Sequence, residues 1–323
     1  MITNGAPLRR RAAATVAAAA SLALALAACG GSGEDTPDAA SSSSAATETT
    51  VATAFGDVTV PAEPERVITL AESALDVALG VGITPVGTTA SRGGDAPPAY
   101  LGADAAAIPV VGTVREANLE AVLETEPDLI LAASGLTLEQ YDALSAIAPT
   151  VVPDAPATGE WAEPLHLYAE ALGADDELTE RLDAVTARAE ALADAGSLDG
   201  TAAVVRWMAN GPVIMNANNM PGKLLQAAGA EPVQAAVDLA DAPHSDPLSL
   251  ENLGEVDADR LFLAAFGADG VSALEAAQTE PAFTRLKAAA SGATTSVDGG
   301  VWSSSSGPIA AEQVMDDIEA AVS

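Results

Sequence analysis

Two stretches of the chain are near copies of each other: NLEAVLETEPDLILAA at residues 118–133 and SLENLGEVDADRLFLAA at residues 249–265. Each starts with a polar residue and Leu-Glu, and an Asp stands eight residues after the Glu. Each then continues into a short apolar run that ends in Ala-Ala. A polar cap predicts a helix start, and a short apolar run predicts a buried strand. The chain therefore repeats one helix-to-strand unit, 131 residues apart from Glu120 to Glu251.

A second pair of segments repeats in the same order. LGVGITPVG at residues 79–87 and QAAGAEPVQ at residues 226–234 share a Gly, two further residues and Pro-Val. The first half has 16 more residues between its two landmarks, which predicts an insertion around SRGGDAPPAYLGADAA. Two ordered landmarks favour two halves of the same plan, and the alternative is the convergence of two generic α/β units.

Short β-branched runs alternate with Ala- and Leu-rich amphipathic segments along the chain. This alternation predicts an α/β fold with mainly parallel sheets. The predicted strands are 66–70, 84–89, 108–112, 128–133 and 149–153 in the first half and 201–209, 259–266 and 294–302 in the second.

A long amphipathic helix is predicted between the halves, at residues 175–196. Asp175 suits the N-cap and Gly196 the terminator. At 1.5 Å per residue it would be roughly 31 Å long. It would join an N-terminal α/β lobe, residues 55–174, to a C-terminal α/β lobe, residues 197–323, and allow only a small closure. Its apolar face is formed by Leu178, Leu182, Val185, Ala189 and Leu192.

The N-terminus has the layout of an export signal. Three arginines precede an Ala- and Leu-rich run that ends at Cys29, the only cysteine. Residues 1–28 are therefore predicted to be a signal peptide for the general or the twin-arginine route. The alternative, a transmembrane anchor, would be short for its task. Because LAAC resembles a bacterial lipobox, Cys29 is expected to be lipidated and to hold the protein at the outer face of the cell membrane, with residues 29–54 as a flexible linker.

Charge and composition restrict the class of ligand. With 46 acidic and 13 basic residues the formal net charge is −33, which argues against a nucleic-acid partner. An anionic ligand remains compatible, since a few arginines can dominate a cleft locally. The single cysteine excludes a disulfide and a thiolate metal site within the chain. Only His166 and His244 are available as imidazole ligands, too few for a bare zinc or manganese site, so iron would arrive inside a chelator.

Several segments in order resemble the solute-binding proteins of ABC importers for ferric siderophores, haem and cobalamin. They are VTVPAEPERVITL, ALDVALGVGITPVGTT, the two repeated stretches, LSAIAPTVV and VWSSSSGPIAAEQVMDDIEAAV. The resemblance implies two Rossmann-like lobes joined by one long α-helix, the class III periplasmic-binding-protein fold. It also implies a monomer that captures a ferric siderophore between its lobes, without a cofactor of its own, and delivers it to a membrane permease dimer. Cobalamin and haem are the alternative cargoes.

The same resemblance assigns a role to the repeated Leu-Glu. In that family a glutamate on each lobe docks against arginines of the permease, and Glu120 and Glu251 match these positions. With Asn118 or Ser249 as N-cap, each Glu is the second helical residue and is free to point outward. The alternative is that each carboxylate only complements a helix dipole, worth about 0.3 to 1 kcal/mol.

Residues where strands end are candidate ligand contacts, because ligands of open α/β sheets bind at the carboxyl ends of the strands. Arginine and aromatic side chains suit the anionic or flat faces of ferric siderophores. Only one of Arg206 and Trp207 can face the cleft, since side chains alternate along a strand. Trp161 and Arg66 are expected to be structural. The candidates are Arg92, Tyr100, Arg115, Arg206, Trp207, His244 and Trp302.

Enzyme motifs are missing from the chain. It contains no nucleophile elbow, phosphate-binding loop or His-Glu-x-x-His motif. A binding protein without catalysis is therefore predicted. The alternatives from another class are a cell-envelope hydrolase, which would show turnover, and an adhesion lipoprotein.

Overall fold

The computed structural model describes residues 48–154, 160–304 and 306–323, which belong to one compact unit. The predicted signal peptide, Cys29 and most of the predicted linker lie outside the described residues. No helix in the described part is both long and apolar enough to cross a membrane.

The chain enters the first lobe through a β-hairpin. Strands β1 (Glu48–Thr53) and β2 (Gly56–Pro61) pair antiparallel, with Val51 opposite Val58. The expectation that the linker extends to residue 54 is therefore wrong. Val51 and Val60 are fully buried in the core of the first lobe, and this anchors an otherwise polar segment.

The N-terminal lobe is built on a five-stranded parallel sheet in the order β5-β4-β3-β6-β7. Its elements are β3 (Val67–Leu70), α1 (Glu72–Gly80), β4 (Gly87–Ala90), a 3-10 turn (Ala99–Leu101), α2 (Gly102–Ala106), β5 (Val110–Thr113), α3 (Leu119–Glu124), β6 (Leu129–Ala132), α4 (Leu138–Ser145), β7 (Thr150–Val151) and α5 (Glu163–Ala171).

The C-terminal lobe follows the linking helix α6 (Asp175–Asp194) and has the parallel order β10-β8-β11-β12, with β9 antiparallel to β8. Its elements are β8 (Thr201–Met208), β9 (Gly211–Ile214), α7 (Met220–Ala227), β10 (Glu231–Pro232), α8 (Gln234–Val237), a 3-10 helix (Leu250–Val256), β11 (Arg260–Ala265), α9 (Gly267–Gln278), α10 (Pro281–Thr284), α11 (Lys287–Ser291), β12 (Thr294–Asp298), α12 (Gly299–Ser303) and α13 (Pro308–Val322).

Each of the eight predicted strands overlaps an observed strand, and the predicted α/β fold with mainly parallel sheets is confirmed. The strand predicted at 294–302 is too long. It ends at Asp298, whose side chain accepts a hydrogen bond from the Val301 backbone N–H at 3.0 Å and starts α12.

The two lobes share one plan. In each, a helix leads from a first strand to a parallel neighbour, β3-α1-β4 and β8-α7-β10, with β9 inserted before α7 in the second lobe. The other edge of the first strand pairs with β6 in the first lobe and with β11 in the second. Gly82 and Gly229 end the two helices with φ of 83° and 100°, which a side chain would disfavour. Their N–H groups bond to the carbonyl three residues back, and the next N–H to the carbonyl five residues back. The insertion predicted in the first half lies between β4 and β5.

Asp128 and Asp259, the Asp residues of the two repeated stretches, each link two neighbouring strands by hydrogen bonds. Asp128 accepts the backbone N–H groups of Glu65 and Arg66 at 2.8 and 2.9 Å, which ties the start of β6 to the start of β3. Asp259 accepts the N–H and the hydroxyl of Thr201 at 2.9 and 2.8 Å, which ties β11 to β8. Arg66 is structural, as expected, because its Nε donates to the Glu126 carbonyl at the end of α3 at 2.8 Å.

Helix α6 passes from one lobe core to the other. Leu178 and Leu182 pack in the core of the first lobe, and Val185 and Ala189 in that of the second. The helix starts one residue earlier than predicted, since Asp175 lies within it and Ala174 is the N-cap. Gly196 follows its end with φ 63°, as a terminating glycine should.

A second contact joins the lobes beside α6. Asp76 on α1 is completely buried and accepts the Ile309 and Ala310 N–H groups of α13 at 2.8 and 3.0 Å. It also accepts the Tyr100 hydroxyl at 2.7 Å. Arg181 on α6 forms two hydrogen bonds with the Glu312 carboxylate, at 2.8 and 2.6 Å. The start of α13 is therefore fixed to the first lobe while the rest of α13 packs in the second.

The Asp76 carboxylate makes this contact sensitive to pH. Burial raises the pKa of Asp76 from 3.8 to about 6, although the hydrogen bonds and the charge of Arg181 oppose the shift. Because the folded protein binds this proton more tightly than the unfolded chain, the stability that it contributes is full below about pH 4 and is lost as the pH rises through about 6.

We expect the difference in unfolding free energy between wild type and Asp76→Asn to fall by up to about 3 kcal/mol from pH 4 to pH 7. Urea unfolding followed by circular dichroism at both pH values measures this difference. Asp104→Asn, which neutralises an exposed carboxylate of α2, is the control. A difference between wild type and Asp76→Asn that stays constant with pH would contradict the prediction.

Candidate functional site

A cleft of about 640 Å³ opens between the two lobes, at the carboxyl ends of β3, β6 and β8. This volume lies in the range of small-molecule sites, and the position is the one expected for ligands of open α/β sheets. The walls are largely polar or charged and include serines and asparagines from the second lobe. They include Glu72, Arg92, Arg115, Ser134, Trp161, Arg206, Asn218, Asn219, His244, Trp302, Ser303 and Ser304.

Five of the seven predicted ligand contacts line this cleft. Arg92 and Arg115 come from the first lobe, and Arg206, His244 and Trp302 from the second. Trp302 is only 1% exposed, because its indole N–H donates to Asp317 at 2.7 Å and its ring stacks on Phe262 at 4.7 Å. That these residues contact ligand stays a prediction.

Two predicted contacts lie elsewhere. Trp207 is 2% exposed and packs in the core of the second lobe near Phe283, because strand alternation turns Arg206 to the cleft instead. Tyr100 belongs to the contact between lobes, where its hydroxyl donates to Asp76 and its carbonyl accepts from Gln313. Both assignments to the cleft are corrected.

Two arginines of different lobes bring positive charge close together. The Arg206 guanidinium is half-buried, and burial together with the charge of Arg92 lowers the pKa of Arg206. Its Nε is buried and has no hydrogen-bond partner among the described residues, and the same holds for the Ser304 hydroxyl on the same wall. A partly desolvated guanidinium next to a second arginine favours an anionic group that would bind between the lobes.

Glu72 is a cleft residue that the sequence reasoning missed. It begins α1 directly after β3 and accepts the Arg92 backbone N–H at 2.7 Å. Burial raises the pKa of Glu72, and the hydrogen bond and charge of Arg92 oppose this shift. Glu72 lies at a strand end, where ligand contacts are expected, but the cargo predicted from the sequence favoured only basic and aromatic residues.

Trp161 also lines the cleft, although it was expected to be structural only. It lies before α5, away from any strand end, and is partly buried against the cores of both lobes. It combines a packing role with an indole face on the cleft wall.

The two repeated glutamates are exposed and lie outside the cleft. Glu120 is the second residue of α3, and Asn118 caps the helix by accepting the N–H groups of Glu120 and Ala121, each at 3.2 Å, as predicted. Glu251 is the second residue of a 3-10 helix, and the Ser249 side chain forms no capping bond. The side-chain cap expected of Ser249 is therefore corrected, while the second-position placement is confirmed.

Among the described residues, no group of three or more His, Cys, Asp or Glu side chains is arranged to hold a metal ion. Glu72, one of the acidic residues of the cleft, accepts a hydrogen bond from the Arg92 backbone N–H instead.

Comparison with known proteins gives a consistent picture. The chain matches the periplasmic binding protein family over residues 67–298. It is 32% identical over 270 residues to the probable siderophore-binding lipoprotein YfiY of Bacillus subtilis, covering 80% of this chain and 83% of that protein. It is 29% identical over 251 residues to the Fe(3+)-citrate-binding protein YfmC of the same organism, covering 76% and 77%.

Solved structures share the fold. Staphylococcus aureus SirA complexed with staphyloferrin B superposes with a TM-score of 0.72 at 26% identity, covering 84% of this chain and 98% of that one. The iron uptake ABC transporter substrate-binding protein PiuA of Streptococcus pneumoniae also gives 0.72, at 25% identity, covering 85% and 99%.

Proposed function

Because the chain belongs to the periplasmic binding protein family, whose members bind substrates for ABC importers, we propose that it captures a ferric siderophore between its lobes and delivers it to a membrane permease. The observation that carries this proposal is the cleft with arginines from both lobes, one of which has an unsatisfied donor. A ferric chelate with a negative charge would pair with these guanidinium groups. The siderophore-binding and Fe(3+)-citrate-binding names of the relatives support the same cargo class.

The protein is proposed to act at the outer face of the membrane. The relative YfiY is named a lipoprotein, and the family is extracytoplasmic. Cys29 is the residue proposed to carry the lipid, with the residues between it and β1 as the tether. We further propose that the protein works as a monomer without a resident cofactor, the ferric ion entering with its chelator as cargo.

A tryptophan-fluorescence titration of the mature chain from residue 30 tests the binding function. Two of the three tryptophans, Trp161 and Trp302, line the cleft, so a bound ferric complex should quench the emission in a saturable way. The panel consists of ferric citrate, a ferric hydroxamate, a ferric catecholate, haem and cobalamin, with the iron-free chelators as controls. Saturable quenching by a ferric siderophore supports the proposal.

Two outcomes of this titration would oppose the proposal. Saturation by haem or cobalamin alone would move the protein to another cargo of the same importer class. If no compound of the panel quenches the fluorescence and calorimetry detects no binding either, ferric siderophore capture is contradicted. Because Trp207 is buried away from the cleft, Trp161→Phe should lose a large part of any quenching, which links the signal to the cleft.

A further inference from the structure

Exposed leucines accompany both repeated glutamates. Leu119 begins α3 and is 41% exposed, and Leu250 begins the 3-10 helix and is 38% exposed. Leu123, one turn further along α3, is 59% exposed. None of these side chains is used by the lobe cores, since Val122 is the buried residue of α3 and Leu253 and Val256 are those of the 3-10 helix. Each lobe therefore presents apolar surface beside a carboxylate.

The ionisable residues of the two helical segments that carry these leucines are all acidic. Glu120, Glu124 and Glu126 are exposed within residues 118–126, and Glu251 and Glu255 within residues 249–256, and neither of these two ranges contains a basic residue. A partner for these surfaces would be basic with an apolar centre. Since the unit occurs once per lobe in the same helical position, the partner should offer two similar surfaces, as a dimer does.

We infer that Leu119 with Leu123 on one lobe, and Leu250 on the other, are apolar anchors that seat against the permease dimer beside the two glutamates. This inference rests on the proposed function and adds residues to it. Exposed charges speed association and set the orientation, but they are screened by salt and contribute little to the lifetime of a complex. Apolar side chains buried at the centre of an interface slow dissociation. The glutamates would therefore set the association rate with the permease, and the leucines would set the dissociation rate.

The chain supplies a matched control. Leu138 and Glu139 begin α4 behind the capping Thr137, and Leu138 is 63% exposed, so this pair, like Leu119 and Glu120, occupies the first two positions of a capped helix. This third Leu-Glu has no counterpart at an equivalent position of the second lobe, where α9 begins with Gly267 after β11. A partner that reads one unit per lobe should ignore it.

The experiment measures dissociation of the full mature protein from the permease dimer that imports the cargo found in the titration, reconstituted in lipid nanodiscs. Leu119→Ala/Leu123→Ala and Leu250→Ala should each dissociate roughly 5 to 20 times faster, with the salt dependence of association unchanged. Glu120→Gln should instead slow association and reduce its salt dependence. Leu138→Ala should behave as wild type.

The outcomes separate this inference from the docking role itself. If the glutamate variants alter association and the leucine variants leave dissociation unchanged, the leucine anchors are refuted and glutamate docking stands. If Leu138→Ala accelerates dissociation as much as Leu250→Ala, any exposed leucine at a helix start contributes equally and the inference of paired anchors fails. If neither leucine nor glutamate variants change binding, the proposed docking surface itself is wrong.

Discussion

Replacing both Glu120 and Glu251 with arginine should abolish uptake of the cargo while leaving its affinity intact. Both side chains are exposed and outside the cleft, so their reversal should not disturb ligand contacts. If Glu120 and Glu251 dock against basic groups of the permease, as we propose, two reversed charges would replace attraction by repulsion, which costs several kcal/mol in a protein interface. Each single reversal should leave a reduced but measurable rate, because one lobe could still engage.

Uptake of the radiolabelled ferric complex by cells that carry each variant measures this effect, with ligand affinity of the purified variants measured in parallel. Glu139→Arg is the control, since Glu139 is exposed and also the second residue of a capped helix. Uptake by the double variant at the wild-type rate would remove the docking role. Equal loss in Glu139→Arg would show that any charge reversal on this lobe is harmful.

The repeated plan of the lobes was predictable because local rules specify it. Gly82 and Gly229 have positive φ and end helices in the left-handed conformation that glycine favours. The apolar runs after Asp128 and Asp259 are long enough for buried parallel strands. The hairpin of β8 and β9 was missed although Asn210-Gly211 is a strong turn signal. The hairpin β1–β2 was missed because Thr and Ala fill its polar face and only Val51 is fully buried within β1.

The second contact between the lobes, made by Asp76 and α13, was not predictable from local rules. In the sequence Asp76 is an acid flanked by Ala74, Leu75, Val77 and Ala78, all of which are fully buried. Its partners on α13 are more than two hundred residues away in the chain, and no local rule pairs them. The sequence predicted one connector, α6. The structure adds α13, and two helical ties restrict the lobes more than one does.

Whether a candidate residue lies in the cleft or in the core is decided by tertiary contacts, which the sequence does not show. Strand alternation limited the choice between Arg206 and Trp207 to one, but only packing against Phe283 shows that the tryptophan is inside. Trp161 reaches the cleft from a segment before α5, where the strand-end rule does not apply. The arginines were predictable because the chain has few basic residues, and because Arg92 and Arg115 follow β4 and β5 while Arg206 lies near the end of β8.

Replacing Arg206 with methionine should weaken binding of an anionic ferric complex by about 10- to 100-fold, the cost of a lost hydrogen bond to a charged group. Arg92→Met should give a similar loss, and Arg115→Met a smaller one if the bound anion lies between the lobes at the Arg92 and Arg206 pair. Methionine retains much of the apolar stem, so that the change removes mainly charge and donors. Arg285→Met, at an exposed site after α10, is the control.

Folding stability separates a lost contact from a damaged fold. Burial and Arg92 disfavour the charged form of Arg206, so its guanidinium opposes folding when the cleft is empty. Arg206→Met should therefore be at least as stable as wild type without ligand while binding ligand less well, as expected for a residue kept for function at the expense of stability. The double variant with Arg92→Met should lose less than the two single losses combined, since both arginines would share one anion.

Calorimetric titration with ferric citrate and with a neutral ferric hydroxamate completes the test. The losses should be confined to the anionic complex, because a neutral cargo gains little from the paired guanidinium groups. If affinity for every ferric complex is unchanged in all three arginine variants, the cleft charges do not hold the cargo and the site lies elsewhere. If the neutral complex loses as much as the anionic one, the arginines shape the cleft and do not select its charge. Arg92 and Arg206 would then pack against the siderophore backbone. The Arg206 Nε, which has no hydrogen-bond partner among the described residues, would need a neutral acceptor from the cargo.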